Sequence, residues 1–152
     1  RGMQVAHVDL NLIRNAFQFR LFLEKEAAAL YAQNASDAAI AAQRAAHESI
    51  VKRAKAGGDA GLIADAEATD RILHEAIIDH LDNEIISKAF RVNWIKIKLI
   101  RQDETRLYDD LVVPVMQDHL KIIKAMQARD PAAASAAMAQ HISNARNRAM
   151  KL

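Results

Sequence analysis

Thr69-Asp70-Arg71-Ile72-Leu73-His74 is the stretch on which the reading of this chain turns. It sets a carboxylate and an imidazole four residues apart in a segment with helical periodicity. Positions i and i+4 share a helix face, so both groups point the same way. That face is otherwise apolar, since Ile63, Ala66, Leu73, Ile77 and Leu81 follow the same period. Two ionisable groups turned inward require partners or a metal. Taken alone, an acid and a histidine at this spacing read as an intrahelical hydrogen bond, which needs no ion. The surrounding chain has to decide between the two.

Length and composition narrow the field. The chain has 152 residues, one domain's worth and enough to bury a core. About half of it is apolar, alanine is frequent, and there are only four glycines and two prolines. An all-α protein with few long loops follows. The absence of cysteine excludes disulfides, thiolate catalysis and cysteine-ligated zinc, and it fits a bacterial-type cytoplasm. No apolar run approaches the roughly 18–20 residues of a membrane span, so no membrane partner is expected. No secretory signal opens the chain. Arg1-Gly2-Met3 reads as a cut edge, and residues 1–7 as a linker before a single domain over 8–152. The net charge is +2 and the pI about 9.0. The basic residues are scattered and pair locally with acids, which describes a mixed solvated surface rather than a nucleic-acid groove.

Apolar periodicity and punctuation predict six helices, over about 8–33, 37–56, 60–80, 84–104, 114–128 and 131–150. The first carries the inward stripe Ile13, Phe17, Arg20, Leu23, Ala27, Leu30 and Tyr31. Arg20 is its odd member, and the pattern pairs it with Glu24 one turn on. Ser36 is expected to cap the second helix, where His47 reads as a satisfied or half-exposed surface histidine. Gly57-Gly58 breaks the chain, and Asp59 is expected to cap the third helix. His80, at that helix's end, suits the dipole. On the fourth helix Asn93 is the polar member of the stripe Ile86, Phe90, Ile97 and Ile100. Its amide either lines a polar cavity or bonds a neighbouring helix. Trp94 beside it belongs to core, interface or a ligand wall. Residues 105–113 read as irregular, with Pro114 opening the fifth helix. Asp130-Pro131 caps and opens the sixth.

Height in the bundle brings the histidines together. His119 lies eleven residues before the turn at Asp130, and His141 eleven after it. At equal rise per residue they sit level across an antiparallel hairpin. Asp70 and Asn93 lie twelve and eleven residues from the turn at Asp82 and are level in the same way. Asp70, His74, His119 and His141 can therefore meet in one layer. Three neutral imidazoles and a carboxylate suit a borderline divalent ion, with zinc, nickel and manganese all admitted.

Several enzyme signatures are missing. His74-Glu75 and His47-Glu48 do not continue to H-E-x-x-H, because Ile78 and Val51 fill the second histidine's place. There is no E-x-x-H repeat, glycine-rich phosphate loop or nucleophile elbow. The spacing names a metal site but no reaction.

The same residues carry a family resemblance. Asp70-x3-His74, then Asp82-Asn83, then Asp118-His119, then Gln140-His141-Ile142 resembles the FCD domain. That is the effector-binding C-terminal domain of the FadR subgroup of GntR transcription regulators. Arg20-x-x-Leu23-Glu24 followed by Ala27 to Ala29 looks like the family's opening, and Ala125 to Met138 like the stretch before its last histidine. The similarity runs from about Phe17 to Met150. It implies an antiparallel all-α bundle of about six helices around a metal and ligand cavity, and a homodimer. It implies a divalent metal on Asp70, His74, His119 and His141, and a small carboxylate effector beside it. Arg20 then matches the arginine that such domains point at the ligand, with Asn93 and Trp94 on the cavity wall. DNA binding would belong to a winged-helix domain N-terminal to this one, which this chain has no room for. On this reading the chain is a regulator's sensor and not an enzyme. A metalloenzyme on the same centre, with metal-bound water as nucleophile, and a plain helical dimerisation module are the competing readings.

Overall fold

Helix α1 (Leu10–Asn34) starts where Asp9 turns its carboxylate onto the backbone N–H groups of Asn11 and Leu12, at 2.9 and 3.2 Å. This computed structural model describes residues 9–100 and 109–150. Five more helices follow: α2 (Asp37–Lys55), α3 (Leu62–Asp79), α4 (Glu84–Ile100), α5 (Asp109–Gln127) and α6 (Pro131–Ala149). There is no strand among the described residues, and the all-α bundle of six helices expected from the sequence is present. No described helix is long and apolar enough to cross a membrane.

Local chemistry sets most of the boundaries. Ser36 caps α2 by accepting from Ala39 N at 3.1 Å, and Asp130 caps α6 by accepting from Ala133 N at 3.0 Å, with Pro131 in the first turn. Asn83 accepts from Ile86 N at 3.1 Å and opens α4. Gly57 and Gly58 take positive φ between α2 and α3, the conformation that costs glycine least.

Two expectations fail. Asp59 does not cap α3: Arg53 donates to both of its carboxylate oxygens, at 2.7 and 2.9 Å, and Oδ1 also accepts from Gly61 N at 3.1 Å, ahead of the helix rather than in its first turn. The helix starts three residues later, behind Gly61, without a side-chain cap. Nor does Pro114 open α5. The helix already includes Asp109 to Val113, and Pro114 lies inside it. Val112 and Met116 are fully buried against Ile50, Leu62 and Ala66, and that burial carries the helix past the proline. Pro114 is exposed, and the carbonyl it leaves unbonded belongs to the exposed Asp110. The linker reading of residues 1–7, the irregular reading of 105–108 and the extension of α4 to Glu104 lie outside the described residues.

α1 packs most extensively on α6, and α2 on α5, while α5 and α6 form a hairpin. Arg129 closes the frame. It takes a left-handed φ of 54° after α5 and donates to the carbonyls of Ala35 and Ala32 at the end of α1, at 2.6 and 3.3 Å. Among the described residues α4 lies against α1 and α3 only.

The core is divided. One apolar cluster gathers Ile13, Phe17, Leu73, Ile77, Phe90, Ile122, Met126 and Met138, and a smaller one holds Ile50, Leu62, Ala66, Val112 and Met116. Between them runs a polar layer. On α2 it is His47, one turn before Ile50; on α3 Asp70, one turn after Ala66; on α5 His119, between Met116 and Ile122. His141 on α6 completes it beside Met138 and Ile142.

Candidate metal centre

Asp70 and His74 stand one turn apart on α3, facing His119 from α5 and His141 from α6. The three imidazoles are essentially inaccessible, at 1, 0 and 3 % exposure, and the Asp70 side chain retains 15 %. The donors converge. Nε2 of His119 lies 3.4 Å from Nε2 of His74 and 3.1 Å from Nε2 of His141. Asp70 Oδ1 is 3.3 Å from Nε2 of both His74 and His119. One donor atom from each of the four residues lies within 4.8 Å of the other three.

These spacings fit an ion. Donors about 2.0–2.2 Å from one metal stand about 2.9–3.6 Å apart at octahedral or tetrahedral angles. The outward nitrogens make the same point. His74 Nδ1 is held by Glu24, His119 Nδ1 by His47 Nε2 at 2.9 Å, and His141 Nδ1 by Asp118 Oδ2 at 3.2 Å. A proton on each Nδ1 leaves each Nε2 with a lone pair directed inward. Three lone pairs and a carboxylate then face one another in an apolar bundle, a costly arrangement until a cation sits among them. The residues present therefore fit a divalent metal.

Electrostatics around the four residues is built from buried groups. Burial by itself would raise the Glu24 pKa, but the Arg20 charge and His74 outweigh it and hold the carboxyl at about 2. Burial likewise opposes Asp70 ionisation, but its close contacts with His119 and His74 outweigh that and hold it well below the usual carboxylate range. Burial, followed by the neighbouring His119, pushes His141 down to about 3 and His47 to about 4. His119 is lowered by burial as well. His74 goes the other way: burial opposes its charge, but Glu24 and Asp70 raise its pKa. With no ion bound, a proton on His74 offsets part of the negative charge that a metal would meet.

Arg20 is buried, as its place in the apolar stripe of α1 required. It makes the predicted pair with Glu24, Nε to Oε2 at 2.6 Å, but inside the protein rather than on the surface. Its Nη2 comes within 3.4 Å of His74 Nδ1, and its guanidinium lies 4.8 Å from the centre of the Trp94 ring. Trp94 in turn lies 5.4 Å from the His74 ring. Six of the seven sequence-predicted site residues thus meet at the layer: Asp70, His74, His119 and His141 directly, and Arg20 and Trp94 through His74. Asn93 does not join them. Its amide donates to Ala16 O at 3.0 Å, the helix-to-helix alternative, and it lines a groove of about 500 Å³ with Leu12, Phe19, Val92 and Lys96.

Sequence reasoning missed the outer partners. Glu24 was legible only as a companion of Arg20, Asp118 only as a neighbour of His119, and His47 read as a surface residue although it is fully buried. The usable signal was chemical: each histidine that presents Nε2 needs a partner for Nδ1. Glu75, next to His74, turns outward to Arg91 at 3.1 Å.

A family model described as the FCD domain matches residues 15–144. Among solved structures, the metal-free FCD domain of TM0439, a proposed transcriptional regulator, is similar at a TM-score of 0.76 and 20% identity, over 96% of each chain. A GntR protein of Streptococcus agalactiae is similar at a TM-score of 0.66 and 26% identity, over 90% of this chain and 59% of that one. No curated protein matches the sequence. The chain belongs to the FCD domain family.

The pKa shifts set a pH dependence for the metal-free protein. His141 and His47 are held neutral with depressed pKa values, so stability falls as pH drops below about 6.5, where the unfolded histidines take up protons. Glu24 adds a second loss as pH falls from about 4.5 toward 2. His74 has the opposite sign but acts in a higher window: its contribution is complete below about 6.5 and is lost as pH rises above that, so it leaves the acid-side losses unchanged. Thermal melts in chelator should show Tm decreasing from pH 7 to pH 4, and a flat or rising profile would contradict the assignment.

Proposed function

We propose that this FCD domain is the effector-sensing part of a GntR-family transcription regulator of the FadR subgroup. It holds a divalent ion on Asp70, His74, His119 and His141 and binds a small carboxylate next to it. The observation that carries the reading is the convergence of four donors, three of them imidazoles whose Nδ1 atoms are already committed elsewhere. Bound there, a metal supplies a Lewis-acidic centre for an anion.

The chain's own residues define the class of effector. Asp70, Glu24 and Asp118 against Arg20 and the half-buried Arg148 leave one net negative charge, and Arg148 acts on both Asp118 and Asp70. A divalent ion turns that to one net positive charge, which a monocarboxylate neutralises. Arg20 spends Nε and Nη2 on the two carboxylate oxygens of Glu24, so Nη1 is the donor left for the anion. Trp94 stacks on the guanidinium and limits its rotamers. Asn93 borders the effector only if the α1–α4 contact loosens. Glu24, Asp118 and Glu75 are each bonded to a basic residue, so none of the three is free as a general base, which supports sensing over turnover.

In the cytoplasm the domain would act on DNA through a winged helix outside this chain. Effector binding can switch that domain only by preferring one dimer arrangement. The homodimer is supported by the side of α4 that no other described residue covers. Ile85, Val92 and Leu99 are spaced seven residues apart and are 81, 55 and 74 % exposed, with Ile95 alongside and Leu12 and Phe19 of α1 next to them. A seven-residue apolar repeat is the pattern by which helices pair.

Elemental analysis after loading with zinc, nickel or manganese should find about one ion per chain. The His119→Ala, His141→Ala double variant should lose it. In metal-loaded protein a small monocarboxylate should raise Tm, and Arg20→Gln should weaken its binding roughly 10- to 100-fold, as loss of a charged hydrogen bond does. Full metal uptake by the double variant would contradict the centre, and an undiminished acid response in Arg20→Gln would contradict the pocket. Sedimentation should show a dimer that Val92→Glu with Ile95→Glu converts to monomer. A dimer unaffected by those two charges places the interface elsewhere.

A further inference from the structure

Among the described residues, His47 is the one fully buried histidine outside the four donor residues. It comes from α2, a helix that supplies no donor. Its Nδ1 lies 2.6 Å from the carbonyl oxygen of Gln43, one turn earlier on the same helix. A carbonyl only accepts, so His47 Nδ1 carries the proton and donates it. Its Nε2 is then an acceptor, and the atom it meets is His119 Nδ1, at 2.9 Å. His119 must donate from Nδ1, which strips its Nε2 and turns the lone pair toward Asp70, His74 and His141. One backbone carbonyl thus sets two tautomers in series. The rings meet edge to face, at 73° and 5.0 Å between centroids, so the hydrogen bond also fixes the plane of His119.

The contrast with the other two histidines gives this arrangement its meaning. His74 and His141 are backed by the carboxylates Glu24 and Asp118. A third carboxylate behind His119 would put a further negative charge into the buried layer with no arginine assigned to it. A neutral imidazole performs the same orientation without that charge.

We propose that His47 is a positioning residue of the centre: it holds His119 in the tautomer and ring plane that present Nε2 to the metal, and it thereby ties α2 to the site. The inference rests on the metal-centre reading given above. Partners in this outer position are typically worth 10- to 100-fold in metal affinity.

The test compares wild type, His47→Leu and His47→Gln, with Co2+ as the probe. Affinity is measured by competition with a chromophoric chelator, and geometry by the cobalt ligand-field absorption. His47→Leu removes the acceptor and should bind Co2+ about 10- to 100-fold more weakly, with an altered spectrum. His47→Gln keeps an amide oxygen where Nε2 stood, so it should restore both affinity and spectrum, a rescue that a merely space-filling role does not produce. A wild-type affinity and spectrum in His47→Leu overturns the inference and leaves the centre standing. A wild type that takes up no Co2+ overturns the centre, and this inference with it. Should His47→Leu fail to fold, nitrogen-15 NMR of the metal-free wild type decides. His119 protonated on Nδ1 is the expected result, and His119 protonated on Nε2 overturns the proposal.

Discussion

Three imidazole nitrogens and a carboxylate, pressed together between two apolar clusters, are the constraint on which this bundle depends. Each helix that meets the layer would bury more apolar surface with a leucine there. What the layer has instead is a set of donors whose nearest neighbours stand 3.1–3.4 Å apart and which all lie within 4.8 Å of one another. Such a set is unfavourable when every member keeps its lone pair, and favourable once a cation is shared. The rest of the structure serves that exchange. α3, α5 and α6 supply the donors, while α1 and α2 reach in with Glu24 and His47 to fix how two of them point.

On the proposed function, the outer partners would also join the metal to the effector pocket. Arg20, Glu24 and His74 form a single buried chain, with the guanidinium at one end and a metal-facing nitrogen at the other. An anion that engages Arg20 competes with Glu24 for the same charge. The hydrogen bond on His74 Nδ1 responds, and with it the basicity of the nitrogen that meets the ion. Effector and metal are thereby energetically linked through residues of this chain, and such linkage is reciprocal. α1 carries both Arg20 and the exposed Leu12 and Phe19, which stand beside the apolar side of α4. Under the proposed function a shift of α1 would be a direct route from the effector to the proposed dimer face.

Much of this was legible in the amino-acid sequence, for identifiable reasons. The six helices follow from apolar period and from local caps, and Ser36, Asp130 and Pro131 act where short-range chemistry places them. The convergence of the histidines follows from counting residues to the turns at Asp82 and Asp130, because rise per residue is the same in every helix. What was not legible depended on competition over distance. Asp59 was an apt cap that Arg53 claimed instead. Pro114 was an apt helix start that the burial of Val112 overrode. His47 looked like a surface residue because the alanine-rich face of α2 does not announce which side is covered. Glu24 seemed an ordinary i+4 partner because nothing local reveals His74 behind it, fifty residues away.

Anomalous diffraction at the absorption edge of a loaded metal, from crystals of this chain, tests the central claim most directly. The account predicts one strong peak about 2.0–2.2 Å from Nε2 of His74, His119 and His141 and from a carboxylate oxygen of Asp70. A strong peak at other residues, with the nearest of these four donors still 3.1–3.4 Å apart and bridged only by protons or water, would contradict it.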